Sequence, residues 1–207
     1  MVLIYIAGTI ASFYFISRYM KNKAERCDHD YESILTIEED DVVLDVGAAA
    51  GCFAFPTSKR SRLVIAVEPN PIYFSKLEKK ARNIDNIILV NKATWNEKGT
   101  RELIIDGYES SILNLPTETT IVETDTIDNI MNDLGFEYVD FIKMDIEGAE
   151  IETLQGSVNT LRNVKKIVVA GYHERKSVHT YIWVDNFLRS NGFNTVVTSD
   201  KLVHAWK

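Results

Sequence analysis

Val42-Val43-Leu44-Asp45-Val46-Gly47-Ala48-Ala49-Ala50-Gly51 decides how this chain is read. A run of buried-strand character passes straight into a turn made of glycine and alanine. Glycine permits turns that a side chain forbids, and small neighbours let a ligand come close to the backbone. In an open α/β sheet, ligands bind at the carboxyl ends of the strands. Asp45 stands just before the loop, where a carboxylate can orient the loop N–H groups or meet a cationic ligand. Taken alone, a Gly-x-x-x-Gly turn also fits a plain strand–helix connection.

Outward from this stretch the pattern repeats. Leu63 to Glu68 is a second strand, stopped by Pro69-Asn70-Pro71, and Ile72 to Asn83 carries apolar residues at helical spacing. Ile87 to Val90, Tyr138 to Met144 and Lys166 to Ala170 read as further strands. Helices are expected over Ala149 to Arg162 and Val178 to Ser190. Arg101 to Thr126 is extended and without a helix, a hairpin insertion after the third strand. Phe193 to Thr198 and Leu202 to Trp206, joined by Ser199-Asp200-Lys201, form an antiparallel pair at the sheet's end. The expected fold is α/β and Rossmann-like: a mostly parallel seven-stranded sheet closed by a C-terminal antiparallel hairpin, the topology of class I methyltransferases.

The bulk properties set limits. A chain of 207 residues, 45% hydrophobic, supports one sizeable core. A net charge of −7 without a basic stretch argues against a nucleic-acid partner. Cys27 and Cys52 lack metal-ligand spacing and read as two free thiols in a reducing compartment. Val2 to Ser17 carries no charge, and Arg18, Lys21, Lys23 and Arg26 follow at once. As a helix it would span about 24 Å, short of a hydrocarbon core of ~30 Å, so residues 2–20 make a marginal membrane span or a packed helix. Residues 1–30 are therefore set apart from the α/β domain over 31–207. If the segment spans, the positive flank puts that domain at the cytoplasmic face of a membrane, and a packed helix also leaves it cytoplasmic. Oligomeric state is not readable.

The second strand bears on the cofactor. Glu68 lies 21 positions after Gly47 (68 − 47), where an acid can accept bonds from both ribose hydroxyls. That supports an adenosine cofactor without choosing one. A dinucleotide fingerprint wants Gly-x-Gly-x-x-Gly for its pyrophosphate, yet Ala49 fills the middle position and Asp45 would repel the phosphates. The balance favours S-adenosylmethionine, with an NAD-linked enzyme as the alternative.

The most specific segment is Phe141-Ile142-Lys143-Met144-Asp145-Ile146-Glu147-Gly148-Ala149-Glu150. Three acids and a lysine at a strand's end are hard to explain as core. On a continued strand Lys143, Asp145 and Glu147 would share one face; helix capping by Asp145 or Glu147 is the structural alternative.

This segment, with Val43 to Ala48 and Gly51, Ala66-Val67-Glu68-Pro69-Asn70-Pro71 and Thr124-Asp125-Thr126-Ile127-Asp128, resembles the FkbM family of methyltransferases over roughly Tyr31 to Lys207. Ala49 stands where that family often has asparagine. The resemblance implies O-methyl transfer from S-adenosylmethionine to a hydroxyl on a sugar, glycolipid or small metabolite. It implies a cofactor site of Asp45, Gly47, Ala48, Ala49, Gly51, Glu68, Pro69 and Asn70, with Lys92, Ala93 and Thr94 near the adenine edge. Ser110, Ser111 and Glu147 would face the acceptor. His173, which follows the strand beside the acid-rich one, is the natural general base. Asp145 would orient its imidazole or take the proton itself, and Lys143 would pair with Asp145. His29, His179 and His204 read as structural. Asp145, Glu147, Glu150 and His173 match no familiar ligand spacing, so no metal is expected. A catalytically idle domain of the same fold is the remaining alternative.

Overall fold

The computed structural model describes residues 27, 29–105, 118–175 and 177–207. The apolar stretch 2–20 and the pair Ser110 and Ser111 lie outside these residues. No helix among the described residues is long and apolar enough to cross a membrane.

Seven strands form one sheet: β1 (Val42–Val46), β2 (Leu63–Val67), β3 (Ile87–Val90), β7 (Phe141–Met144), β8 (Lys166–Ala170), β11 (Asn194–Val197) and β12 (Leu202–Trp206). Their order is β11-β12-β8-β7-β1-β2-β3, and β12 alone runs opposite to the other six. The last strand therefore enters between β8 and β11 rather than adding to the edge. Alternate residues of β1 serve opposite faces. Val42, Leu44 and Val46 join one core cluster, which holds Ile127, Ile130, Leu154, Val184 and Leu188. Val43 joins the other, with Tyr31, Phe53, Ala54 and Leu77. Covering on both faces explains why β1, β2 and β8 are mostly apolar on alternate and intervening positions alike.

Short helices fill the connections: α1 (Ala54–Ser58), α2 (Pro71–Ala81), α3 (Ile127–Asp133), α4 (Glu150–Gln155), α5 (Thr160–Asn163) and α6 (Thr180–Ser190). Two of them differ from the sequence expectation. The helix predicted over Ala149 to Arg162 is broken, because the Asp128 carboxylate reaches across to accept from the Asn159 and Thr160 N–H groups and starts α5 anew. The unexpected α3 follows the predicted extended region; Thr126 caps it through the Asn129 N–H, and Ile127, Ile130 and Met131 are buried at helical spacing.

The insertion is an antiparallel pair, β5 (Gly99–Ile105) with β6 (Glu118–Asp125), as the sequence suggests. It forms a three-stranded sheet of its own with β4 (Ala93–Thr94), separate from the large one. A small hairpin of β9 (Glu174–Arg175) and β10 (Val178–His179) follows β8.

The cysteines are a correction. Cys27 and Cys52 are joined by a disulfide, their Cα atoms 5.4 Å apart. The physical reason is the fold of the chain ahead of β1: Tyr31 is buried beside Phe53, which brings Cys27 back over the start of α1. Closing a loop of 25 residues removes denatured-state entropy worth about 3 kcal/mol. Cys27→Ser should lower the unfolding free energy by that order in urea melts, and dithiothreitol should destabilise the native chain while leaving the variant unmoved.

Candidate functional site

The glycine loop leaves β1 and doubles back against β2. Gly47 and Ala48 donate their N–H groups to the Val67 carbonyl at 2.9 and 3.0 Å. Ala49 donates to Glu68 Oε2 at 2.7 Å, and Asn70 donates its backbone N–H to Glu68 Oε1 at 2.8 Å. The buried Glu68 carboxylate thus holds the loop's outer turn. Burial pushes its carboxyl up from the ordinary range, against the pull of these two N–H bonds. Ala49 sits at φ +46°, in the left-handed region where asparagine is favoured over alanine. With the donors of Gly47 to Ala49 spent inside the protein, the loop is a poor cradle for a pyrophosphate, which weighs against a dinucleotide. Asn70 also caps α2 through its side chain.

Asp45 does not orient the loop. Its carboxylate is fully buried, and Oδ1 accepts from Lys143 Nζ at 3.0 Å. The same ammonium donates to the Gly47 carbonyl at 2.8 Å. Asp45 and Lys143 are register partners on β1 and β7, so the lysine expected to pair with Asp145 pairs across the sheet instead. Asp45 Oδ2 is buried without a hydrogen-bond partner. Burial pushes the Asp45 carboxyl up, and the lysine opposes that shift. Lys143 is therefore a support beneath the loop.

Beside the loop lies a mostly apolar cavity of about 140 Å³, bounded by Gly47, Pro69, Ala93, Trp95, Leu103 and Ile146. Lys92 and Thr94 also border it, but their side chains are engaged elsewhere. Lys92 Nζ lies 2.8 Å from Asp125 Oδ2, and the Thr94 hydroxyl is 2.9 Å from that of Thr153. A larger depression of about 650 Å³, near Asn132, Phe136 and Tyr138, contains none of the residues predicted for the site. These features fit an adenosine-bearing cation: an apolar recess, a ribose-type acid, small loop residues and an acidic oxygen left unpaired beneath.

β7 ends at Met144, so Asp145 and Glu147 lie in the following turn and not on a continued strand face. Glu147 adopts φ +54° and its side chain is exposed. Asp145 Oδ2 accepts from the Tyr31 hydroxyl at 2.6 Å, and the Tyr172 hydroxyl lies 3.0 and 3.2 Å from its two oxygens. Burial, and then the nearby Asp145 charge, push both phenols well above their ordinary range, so they remain donors. The His173 ring completes the group, with Nε2 at 3.2 Å from Glu147 Oε2 and 3.8 Å from Asp145 Oδ1. Its Nδ1 is 2.9 Å from Oε1 of the fully buried Glu150.

The structure brings Asp145, Glu147 and His173 together and adds Glu150 to the group. Burial alone would lower the His173 pKa; Glu147 and Glu150 overcome that and push it up to about 10. The two carboxylates therefore favour the protonated ring. Glu150, not Asp145, is its closest carboxylate. Glu150, Tyr31 and Tyr172 were missed as site residues. Tyr172 adjoins His173 in sequence, whereas nothing local marks Tyr31. The remaining histidines have partners of their own: His29 with Asp200, His204 with Ser33, and His179 with Lys201 and the Tyr172 carbonyl.

Comparison with known proteins identifies the family and the fold. Residues 45–195 match the methyltransferase FkbM domain. Hexuronic acid methyltransferase AglP of Haloferax volcanii is 29% identical over 140 residues, covering 64% of this chain and 56% of that protein. Among solved structures, the chain resembles a methyltransferase FkbM from Methylobacillus flagellatus with a TM-score of 0.61 at 17% identity, covering 84% of this chain and 46% of that one. Aeropyrum pernix fibrillarin in complex with S-adenosyl-L-methionine gives a TM-score of 0.51 at 16% identity, covering 83% and 68%. The chain spans only 56% of the Haloferax protein and 46% of the Methylobacillus chain.

Proposed function

The chain belongs to the FkbM family of S-adenosylmethionine-dependent methyltransferases, and on that premise we propose that it O-methylates a hydroxyl of a sugar or similar small molecule. The observation that carries this reading is the position of Asp145. Its backbone abuts Gly47, so closely that a Cβ on the glycine would overlap the Asp145 carbonyl oxygen. The acid that faces the acceptor is thereby fixed to the loop that holds the donor.

Glu68 would hold the cofactor's ribose, with the recess beside Ala93 and Pro69 taking its adenine. When bound, S-adenosylmethionine supplies a methyl group on a sulfonium, the O–CH3 bond forming as the S–CH3 bond breaks. Asp145 accepts the proton that the acceptor hydroxyl loses. Tyr31 and Tyr172 hold that carboxylate in one orientation, which is what a positioned proton acceptor needs. Glu147, exposed at the rim, would meet the acceptor's polar groups. Saccharide acceptors are favoured by the Haloferax relative, whose name specifies a hexuronic acid.

Methyl-tritiated S-adenosylmethionine offered with neutral and uronic-acid oligosaccharides tests the reading. The expected product keeps its tritium through mild alkali, because a methyl ether resists hydrolysis. Label released by alkali would identify a carboxylate acceptor and sink the hydroxyl assignment. Cofactor binding without transfer to any saccharide in the panel would sink the sugar assignment.

A further inference from the structure

We propose that Asp145, Glu147 and His173 bind one divalent cation of the Mn2+ or Mg2+ class at the mouth of the loop; what the cation does there rests on the methyl-transfer reading above, although its binding does not. The order of these residues along the chain matches no familiar ligand motif, and the folded arrangement supplies what the order lacks. One donor atom from each lies within 4.8 Å of the other two. Around an octahedral cation with bonds of about 2.1 Å, neighbouring donors sit roughly 3 Å apart. His173 Nε2 already lies 3.2 Å from Glu147 Oε2 and 3.8 Å from Asp145 Oδ1, so a small closure completes a three-cornered face.

The surroundings are those of a ligand set. A metal-binding histidine usually has its second nitrogen turned to a carboxylate, which fixes the ring. Here Nδ1 is 2.9 Å from the fully buried Glu150, leaving Nε2 towards Asp145 and Glu147. Ligating carboxylates are in turn held by hydrogen bonds, and Asp145 receives two phenol hydroxyls. Neither ring nitrogen of His173 makes an aligned hydrogen bond, despite these short approaches, and Glu150 Oε2 also has no partner. Buried polar atoms left in this state call for a cause, and a cation on Nε2 would draw the ring into line with Glu150. Two carboxylates with one imidazole suit a cation between the oxygen-seeking and nitrogen-seeking classes, which favours Mn2+. Glu147 is exposed, so the site opens to solvent and to an acceptor. A cation there would bind the acceptor oxygen and lower the pKa of its hydroxyl.

MnCl2 is titrated into the chelator-stripped, tag-free full chain, and free Mn2+ is followed by its electron paramagnetic resonance signal. One equivalent should be taken up saturably. Glu147→Gln and His173→Asn should each weaken uptake by at least tenfold, and Asp145→Asn by more. Glu147 is exposed, so its variant will fold and keeps the test decisive. Absent saturable uptake, or uptake equal in all the variants, overturns the site. S-adenosylmethionine binding is measured by calorimetry on the same samples without Mn2+. Cofactor binding with no Mn2+ uptake removes the metal site and leaves the methyl-transfer reading. Mn2+ uptake with no cofactor binding does the reverse.

Discussion

Gly47→Ala should abolish measurable S-adenosylmethionine binding, with affinity falling at least a hundredfold, and should cost the fold about 3 kcal/mol. Two effects add. Gly47 sits at φ +82°, where a side chain is strained by roughly 1–2 kcal/mol. The new Cβ would also overlap the Asp145 carbonyl oxygen, and neither side can yield cheaply. Gly47 N–H is bonded to Val67, and Asp145 N–H is bonded to the Val46 carbonyl at 3.0 Å. The loop must therefore leave β2 or the turn after β7 must move, and either displacement spoils the cofactor site. Gly192 supplies the control. Its φ is +84°, yet a Cβ there would meet nothing within 4 Å. Gly192→Ala should show the backbone cost alone and bind cofactor normally. Equal losses in calorimetry and thermal melts for the two variants would refute the role of the Asp145 contact.

Lys143→Met should destabilise the chain by about 3–5 kcal/mol at neutral pH, because it strands the Asp45 carboxylate in a site that is fully buried. The loss has a characteristic pH dependence. Burial already raises the Asp45 pKa, and removing the lysine removes the main force opposing that rise. A carboxyl whose folded pKa lies above its unfolded value favours folding when protonated, so its contribution is lost as pH climbs. The deficit should accordingly be smaller at pH 5 than at pH 8 in urea unfolding. Lys143→Met combined with Asp45→Asn should recover much of the stability, since no unpaired charge remains. A deficit that is independent of pH, or a double variant no better than the single, would contradict the buried pair as the cause.

These two residues also show what a sequence can and cannot give. The strands β1, β3, β8 and β12 coincide with the runs read from sequence, because apolar residues packed against both faces of a sheet leave a mostly apolar run. The proximity of Asp145 to His173 was legible too, since β7 and β8 are parallel neighbours and both residues follow their carboxyl ends. The partner of Lys143 was not. Along a strand, alternate residues sit nearly 7 Å apart, whereas directly opposed residues on adjacent strands are closer. Sequence nearness suggested Asp145; register placed Asp45 opposite. Tyr31 escaped for a similar reason, its bond to Asp145 spanning 114 positions. The helix α3 was legible in principle. Thr126 as cap and Ile127, Ile130 and Met131 at helical spacing announce it, but the extended run before it drew the reading onward.

The side sheet of β4, β5 and β6 satisfies its ladder bonds within itself, yet Leu103, Val122 and Thr124 wall the recess beside the loop. Inheritance can exploit that independence. Substitutions in β5 and β6 can reshape the wall of that recess while the seven-stranded frame and its glycine loop pass on unaltered. Divergence among relatives is then expected to concentrate in this plate rather than in the frame that carries it.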